Sequence, residues 1–102
     1  MWSIKERKDT IEALFNNTPT VTVVSYKGLT AKFCKKINAQ YIIRGLRNST
    51  DFTYEQNIAQ ANNEVNGVDS VFLIARPKYS YISSSIVRDI ARNGGDISTL
   101  IP

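Results

Sequence analysis

Two hydrophobic periods run along this chain, one of three to four residues and one of short unbroken apolar runs, and they take turns. Ile4, Ile11, Leu14 and Phe15 recur at helical spacing. They follow Ser3-Ile4-Lys5-Glu6, whose serine-x-x-glutamate spacing lets each end of the motif satisfy the other's backbone N–H. A helix over about 3–15 is predicted. Asn16-Asn17-Thr18-Pro19 stops it, and Val21-Thr22-Val23-Val24-Ser25-Tyr26 is β-branched and short, which predicts a buried strand. Lys27-Gly28 makes the turn. Leu29, Phe33, Cys34 and Ile37 then mark a second, short helix with Lys32, Lys35 and Lys36 on its other faces. Gln40-Tyr41-Ile42-Ile43 predicts the next strand, and Arg44-Gly45-Leu46-Arg47 stands where a strand-to-helix loop belongs.

A long helix is expected to begin near Ser49 or Thr50 and to reach Val65, with Asp51 in its first turn favoured by the positive helix end. Asn66-Gly67 breaks it, and Ser70-Val71-Phe72-Leu73-Ile74 predicts a third buried strand. Residues 76–81 form a loop. Ser83-Ser84-Ser85 supplies capping hydroxyls ahead of Ile86, Val87, Ile90 and Ala91, and Asn93-Gly94-Gly95 supplies the stop. The tail from Asp96 to Pro102 has room for one more turn.

The order α-β-α-β-α-β-α, with helices between uninterrupted apolar strands, implies an α/β fold with a parallel sheet covered on both faces. No linker or repeat divides it, so 1–102 is expected to be a single domain. Doubly wound domains ordinarily open on a strand that carries the ligand loop. This chain opens on a helix, from which an incomplete amino terminus is expected.

Composition narrows the chemistry more than the fold. At 102 residues, 42% hydrophobic and 22% charged, the chain is ordinary for one soluble unit on a prior of ~150 residues per domain. Thirteen Lys plus Arg against nine Asp plus Glu leave a charge of +4, spread rather than massed. Such a spread suits small phosphate-bearing ligands at least as well as nucleic acid, and no nucleic-acid partner is expected. There is no histidine, so the commonest general base and metal ligand is missing, and with one cysteine no Cys/His zinc site can be assembled. Cys34 cannot form an internal disulfide. With no run near ~20 apolar residues and no signal-peptide shape, a cytoplasmic protein without a membrane partner is expected.

In open parallel sheets ligands bind beyond the carboxyl ends of the strands. Three segments qualify: Gly28-Leu29-Thr30, Arg44-Gly45-Leu46-Arg47, and Arg76 through Ser85. Two arginines flanking Gly-Leu can aim planar donor forks at phosphate oxygens while glycine lets a ligand come near the backbone. Either arginine can equally salt-bridge a surface carboxylate. Ser83, Ser84 and Ser85 at a helix start can surround an anion or simply cap the helix. Glu55 and Asn62 lie seven residues apart on one helix face, where they look into a common cleft or into solvent. Tyr54, Tyr79 and Tyr81 are candidates to stack on a base or to pack.

Taken in order, Arg44-Gly45-Leu46-Arg47, Asp51-Phe52-Thr53-Tyr54-Glu55, Tyr79-Ser80-Tyr81-Ile82-Ser83-Ser84-Ser85 with Val87-Arg88, and Gly94-Gly95-Asp96-Ile97-Ser98 with Ile101-Pro102 resemble the signatures of bacterial phosphopantetheine adenylyltransferase. The likeness runs from about Ser3 to Pro102. It implies a Rossmann-like nucleotidyltransferase fold, and transfer of an adenylyl group from ATP to 4′-phosphopantetheine, with dephospho-coenzyme A and pyrophosphate as products and magnesium accompanying ATP. By the family pattern Thr30 and Arg44 contact phosphopantetheine, and Asn62 faces its pantetheine arm. Gly45, Leu46, Arg47, Glu55, Tyr79, Ser80, Tyr81, Ile82, Ser83, Ser84 and Ser85 line the ATP site. Coenzyme A or its dephospho form is a further expected ligand, and a homo-oligomer, a hexamer for the complete enzyme, is expected.

This sequence also departs from the family pattern. The family carries a T/H-x-G-H motif, whose histidine stabilises the transferring phosphate, and a substrate-contacting lysine in an amino-terminal βαβ unit that these residues do not contain. No catalytic residue and no protein metal ligand is therefore assigned here, and the 102 residues alone are expected to be inactive or nearly so. Asn63 stands where a basic residue is common, and Asp89 where a glutamate is. The competing expectation is a non-catalytic nucleotide-binding or assembly module derived from the same enzyme.

Overall fold

Residues 2–102 are described by a computed structural model. Six elements follow one another: α1 (Ile4–Leu14), α2 (Thr30–Lys36), β1 (Tyr41–Leu46), α3 (Ser49–Asn66), β2 (Asp69–Ile74) and α4 (Ser84–Arg92). They belong to two compact units. One is Lys27–Tyr81, with α2, β1, α3 and β2; the other joins the described part of Met1–Tyr26 to Ile82–Pro102, with α1 and α4.

The central unit is a strand-helix-strand crossover. β1 and β2 pair in parallel, with Tyr41 opposite Asp69 and Leu46 opposite Ile74, and the Ala75 N–H donates to the Leu46 carbonyl at 2.8 Å beyond the last pair. Parallel neighbours cannot be joined by a tight turn, and the 18-residue α3 makes the return. Side chains alternate across each strand, so Ile42, Arg44 and Leu46 share one face with Ser70, Phe72 and Ile74. That face receives α3: Leu46 is buried, and the Phe52 and Phe72 rings meet edge to face at 6.2 Å. On the same side Ala31 and Cys34 of α2 pack with Val68, joined by Ala39 and Ile42.

The opposite face carries Tyr41, Ile43, Val71 and Leu73, and all four are exposed, Ile43 at 67%. The α/β expectation therefore holds in a reduced form. The sheet has two strands, and helices cover one face of it rather than both. The missing strand is Val21–Tyr26. It forms no ladder, Val21, Val24 and Tyr26 are exposed, and the Val21 N–H closes a turn onto the Thr18 carbonyl at 3.0 Å. A β-branched run is only half of a strand, because its outward N–H and C=O groups need a neighbour, and no strand among the described residues pairs with it.

The helix ends follow their local chemistry. The Glu6 N–H donates to Ser3 Oγ at 3.0 Å and the Ser3 N–H to the Glu6 carboxylate at 2.7 Å, closing the capping box that starts α1. Asn48 caps α3, and Gly67 ends it in the left-handed conformation at φ 68°. Ser83 caps α4, accepting the Ile86 N–H at 3.2 Å. After that helix the Gly95 N–H bonds the Ile90 carbonyl at 2.9 Å, and a Cβ at Gly95 would stand 2.5 Å from Ile90 Cγ2. A side chain at Gly95 would require Ile90 to shift.

Candidate functional site

Arg44, Gly45 and Leu46 are not a loop. They complete β1, because the ladder continues opposite Phe72, Leu73 and Ile74, and only Arg47 and Asn48 bridge the strand to α3. The tight connection places the two arginines beside the first two turns of α3. Arg44 Nε donates to Glu55 Oε2 at 3.0 Å and Nη2 to Oε1 at 2.6 Å, a two-pronged pair. Arg47 Nε donates to Asp51 Oδ2 at 2.8 Å and Nη2 to Oδ1 at 2.9 Å, while the Arg47 backbone N–H donates to the same Oδ2 at 3.0 Å. Asp51 and Glu55 are four residues apart on α3, one turn apart on one face. The result is a cluster of two guanidiniums and two carboxylates at the carboxyl end of β1.

Its electrostatics follow from those bonds. Hydrogen bonds from the Arg47 side chain, then from its backbone N–H, pull the Asp51 carboxyl down from 3.8 to about 2, and Asp51 in return raises Arg47. Glu55 is only 8% exposed. Hydrogen bonding from Arg44 holds it below the ordinary glutamate value, outweighing burial and the nearby Asp51 charge, which push the other way. Both carboxylates are ionised at neutral pH, and both arginines stand in ion pairs.

The other predicted residues fall as follows. Gly45 lies on the open face of the sheet, where an added Cβ would meet nothing within 4 Å. Leu46 turns its side chain into the core, so only its backbone faces the strand end. Thr30 opens α2 half-buried, and Asn62 is half-buried two turns along α3 from Glu55. Tyr79 and Tyr81 are exposed in the turn after β2, with Lys78 Nζ 4.7 Å from the centre of the Tyr79 ring. Ser80 Oγ donates to the Pro77 carbonyl at 3.0 Å. These three belong to the unit that holds the arginines, whereas Ile82, Ser83, Ser84 and Ser85 belong to the unit of α4. Ser83 is its cap, and Ser84 and Ser85 are its exposed first turn.

Asn63, at a position where the family favours a basic residue, donates from Nδ2 to Asp69 Oδ1 at 2.7 Å and ties the end of α3 to the start of β2. Asp51 stood in the sequence near the helix start and at the head of the Asp51-to-Glu55 motif, but with no role at the site assigned to it. The signal was present in its spacing, four residues after Arg47 and four before Glu55. An open depression of about 600 Å³ in the other unit, lined by Asp9, Glu12, Phe15 and Val21 among others, includes none of the predicted residues. Among the described residues no group of three or more His, Cys, Asp or Glu could hold a metal ion, and no helix is long and apolar enough to cross a membrane.

Comparison with known proteins converges on one group. Residues 1–90 match the cytidylyltransferase-like family. The phosphopantetheine adenylyltransferase of Flavobacterium psychrophilum is 48% identical over 102 residues, all of this chain and 68% of that protein. That of Flavobacterium johnsoniae is 46% identical over the whole chain and 67% of its own length. The protein of the same name from Cytophaga hutchinsonii is 50% identical over 93 residues, 90% of this chain and 62% of its own. The chain thus spans about two thirds of the length of the curated relatives it matches.

Proposed function

The chain belongs to the phosphopantetheine adenylyltransferases, within the cytidylyltransferase-like family, and from that premise we propose that its strand-end cluster binds the two reactants of adenylyl transfer, ATP and 4′-phosphopantetheine. In that reaction a phosphate oxygen of 4′-phosphopantetheine attacks the α-phosphorus of ATP. The bond from that phosphorus to the bridging oxygen breaks, pyrophosphate leaves, and dephospho-coenzyme A results. Such a transfer needs its anions held in line and their charge offset rather than a covalent nucleophile.

The observation that carries the reading is the pair of arginines at the carboxyl end of β1, each held as a planar fork by a carboxylate of α3. Arg44 takes the phosphate of the acceptor and Arg47 the phosphates of ATP. Gly45, between them in sequence, lies on the opposite, open face of the sheet. Thr30 and Asn62 extend the acceptor side, and Tyr79, Ser80 and Tyr81 the nucleotide side. Magnesium enters as part of the substrate, on the triphosphate, in keeping with its habit of retaining phosphate and water ligands.

Calorimetric titration with magnesium-ATP tests this. Arg47→Lys keeps the charge and loses the fork, and should weaken binding about tenfold, the scale of one charge-assisted hydrogen bond. Arg88, exposed on α4, is the control, and Arg88→Lys should bind as the parent does. Equal losses in the two variants, or none in Arg47→Lys, would show that Arg47 holds structure rather than phosphate.

A further inference from the structure

Asp51 has two possible roles beside Arg47, and they predict opposite signs. As a charge, it stands close to where the ATP phosphates are proposed to bind and repels them. As a bracket, it fixes the group that receives them. The geometry separates the two. An acidic residue in the first turn of a helix ordinarily serves the helix, through its dipole or its orphan N–H groups. Here the Asp51 N–H is already satisfied by Asn48 Oδ1 at 2.9 Å. Both Asp51 oxygens turn instead to Arg47, which they grip by Nε, by Nη2 and by the backbone N–H. A guanidinium on a flexible stem is thereby tied at its planar edge and at its root together.

We propose that Asp51 is a positioning residue of the nucleotide half of the site, setting the orientation of the Arg47 fork before ATP arrives. The inference rests on the assignment of Arg47 to the ATP phosphates. A donor fork fixed beforehand gives up less conformational freedom on binding, and placement errors of an ångström at such a group are costly. Asp51 stays ionised throughout the neutral range, so the bracket is not switched by ordinary changes of pH.

Magnesium-ATP and, separately, 4′-phosphopantetheine are titrated calorimetrically into the full chain bearing Asp51→Asn, Asp51→Glu, Arg47→Lys, or Asp51→Asn with Arg47→Lys. Removing a negative charge next to a triphosphate should tighten binding if charge alone matters. The bracket predicts the reverse. Asp51→Asn weakens ATP about tenfold, Asp51→Glu recovers part of the loss, and the double variant is no worse than Arg47→Lys. Affinity for 4′-phosphopantetheine stays within about twofold of the parent's, which shows the strand end intact.

Unchanged or tighter ATP binding in Asp51→Asn, with a loss in Arg47→Lys, overturns the bracket and leaves the site assignment standing. No loss in Arg47→Lys overturns the assignment of Arg47, and the bracket with it. Parallel loss of both ligands in Asp51→Asn and Asp51→Glu overturns the bracket in favour of a role in the fold.

Discussion

Arg44 and Glu55 form a pair whose partners are unequally placed, and the inequality has a consequence for stability. The Glu55 side chain is 11% exposed and that of Arg44 54%. Removing the carboxylate leaves a cation that water can reach; removing the cation leaves a carboxylate shut in by α3 and the sheet. Arg44→Ala should therefore destabilise the protein by about 2 kcal/mol, between the values for exposed and for buried pairs, and Glu55→Gln by less than 1 kcal/mol. Urea denaturation of the two variants checks the order, and a larger loss in Glu55→Gln would show that the pair is dominated by something other than desolvation. Gly45 supplies the complementary case. Its added methyl meets nothing, and strands tolerate alanine better than glycine by roughly half a kcal/mol. Gly45→Ala should thus leave the unfolding midpoint equal or slightly higher. A lower midpoint in thermal denaturation would show that this part of the open face has no room for the methyl.

At the scale of elements, α3 does most of the organising, since it returns the chain to β2, covers one sheet face and carries both site carboxylates. Its end depends on Gly67, whose left-handed φ of 68° costs an L side chain about 1 kcal/mol. Because a Cβ there touches nothing, Gly67→Ala should lose about that much and no more, and a larger loss in thermal denaturation would point to a clash rather than to backbone strain. The carboxylates make the helix sensitive to acid. Both have folded values below their unfolded ones, so their contribution is fully present above about 4.5 and is lost as pH falls through the folded values, about 2 for Asp51. The denaturation midpoint should hold between pH 7 and pH 5 and fall toward pH 2, with Asp51→Asn less steep. A fall already complete by pH 4 would contradict the pairing. The same element shows what a sequence can and cannot announce. Helices close their own hydrogen bonds, so the Ser3 box, the Ser83 cap and the stop at Gly67 were all legible from neighbours in sequence. Strands do not. Val21–Tyr26 has the residues of a strand without a partner ladder, whereas Arg44-Gly45-Leu46, poor strand formers, are held in one by β2. In the site the charged residues could be read off the chain, but their pairing depends on how α3 lies across β1.

For the whole molecule, the unresolved demand is apolar surface. Tyr41, Ile43, Val71 and Leu73 stay open on one sheet face, and Trp2, Ile4 and Phe15 are exposed in the other unit, Ile4 at 54%. A two-stranded sheet also has two edges, each with a row of outward N–H and C=O groups, and both edges and open apolar faces favour association. A charge of +4 on 102 residues opposes it weakly, and its reach shrinks to ~8 Å at physiological salt. The 102-residue polypeptide should accordingly associate with further copies of itself, in keeping with the homo-oligomer that the family resemblance implies. Sedimentation velocity over a range of concentrations, at low and at physiological salt, distinguishes the causes. Association through apolar faces persists or strengthens as salt screens the repulsion, whereas association through opposite charges weakens. Asp in place of Ile43 should reduce it, since the charge lands in the middle of the open face without touching the cluster around Arg44 on the other. A dispersed 11.5 kDa species at every concentration would mean that these faces are content in water.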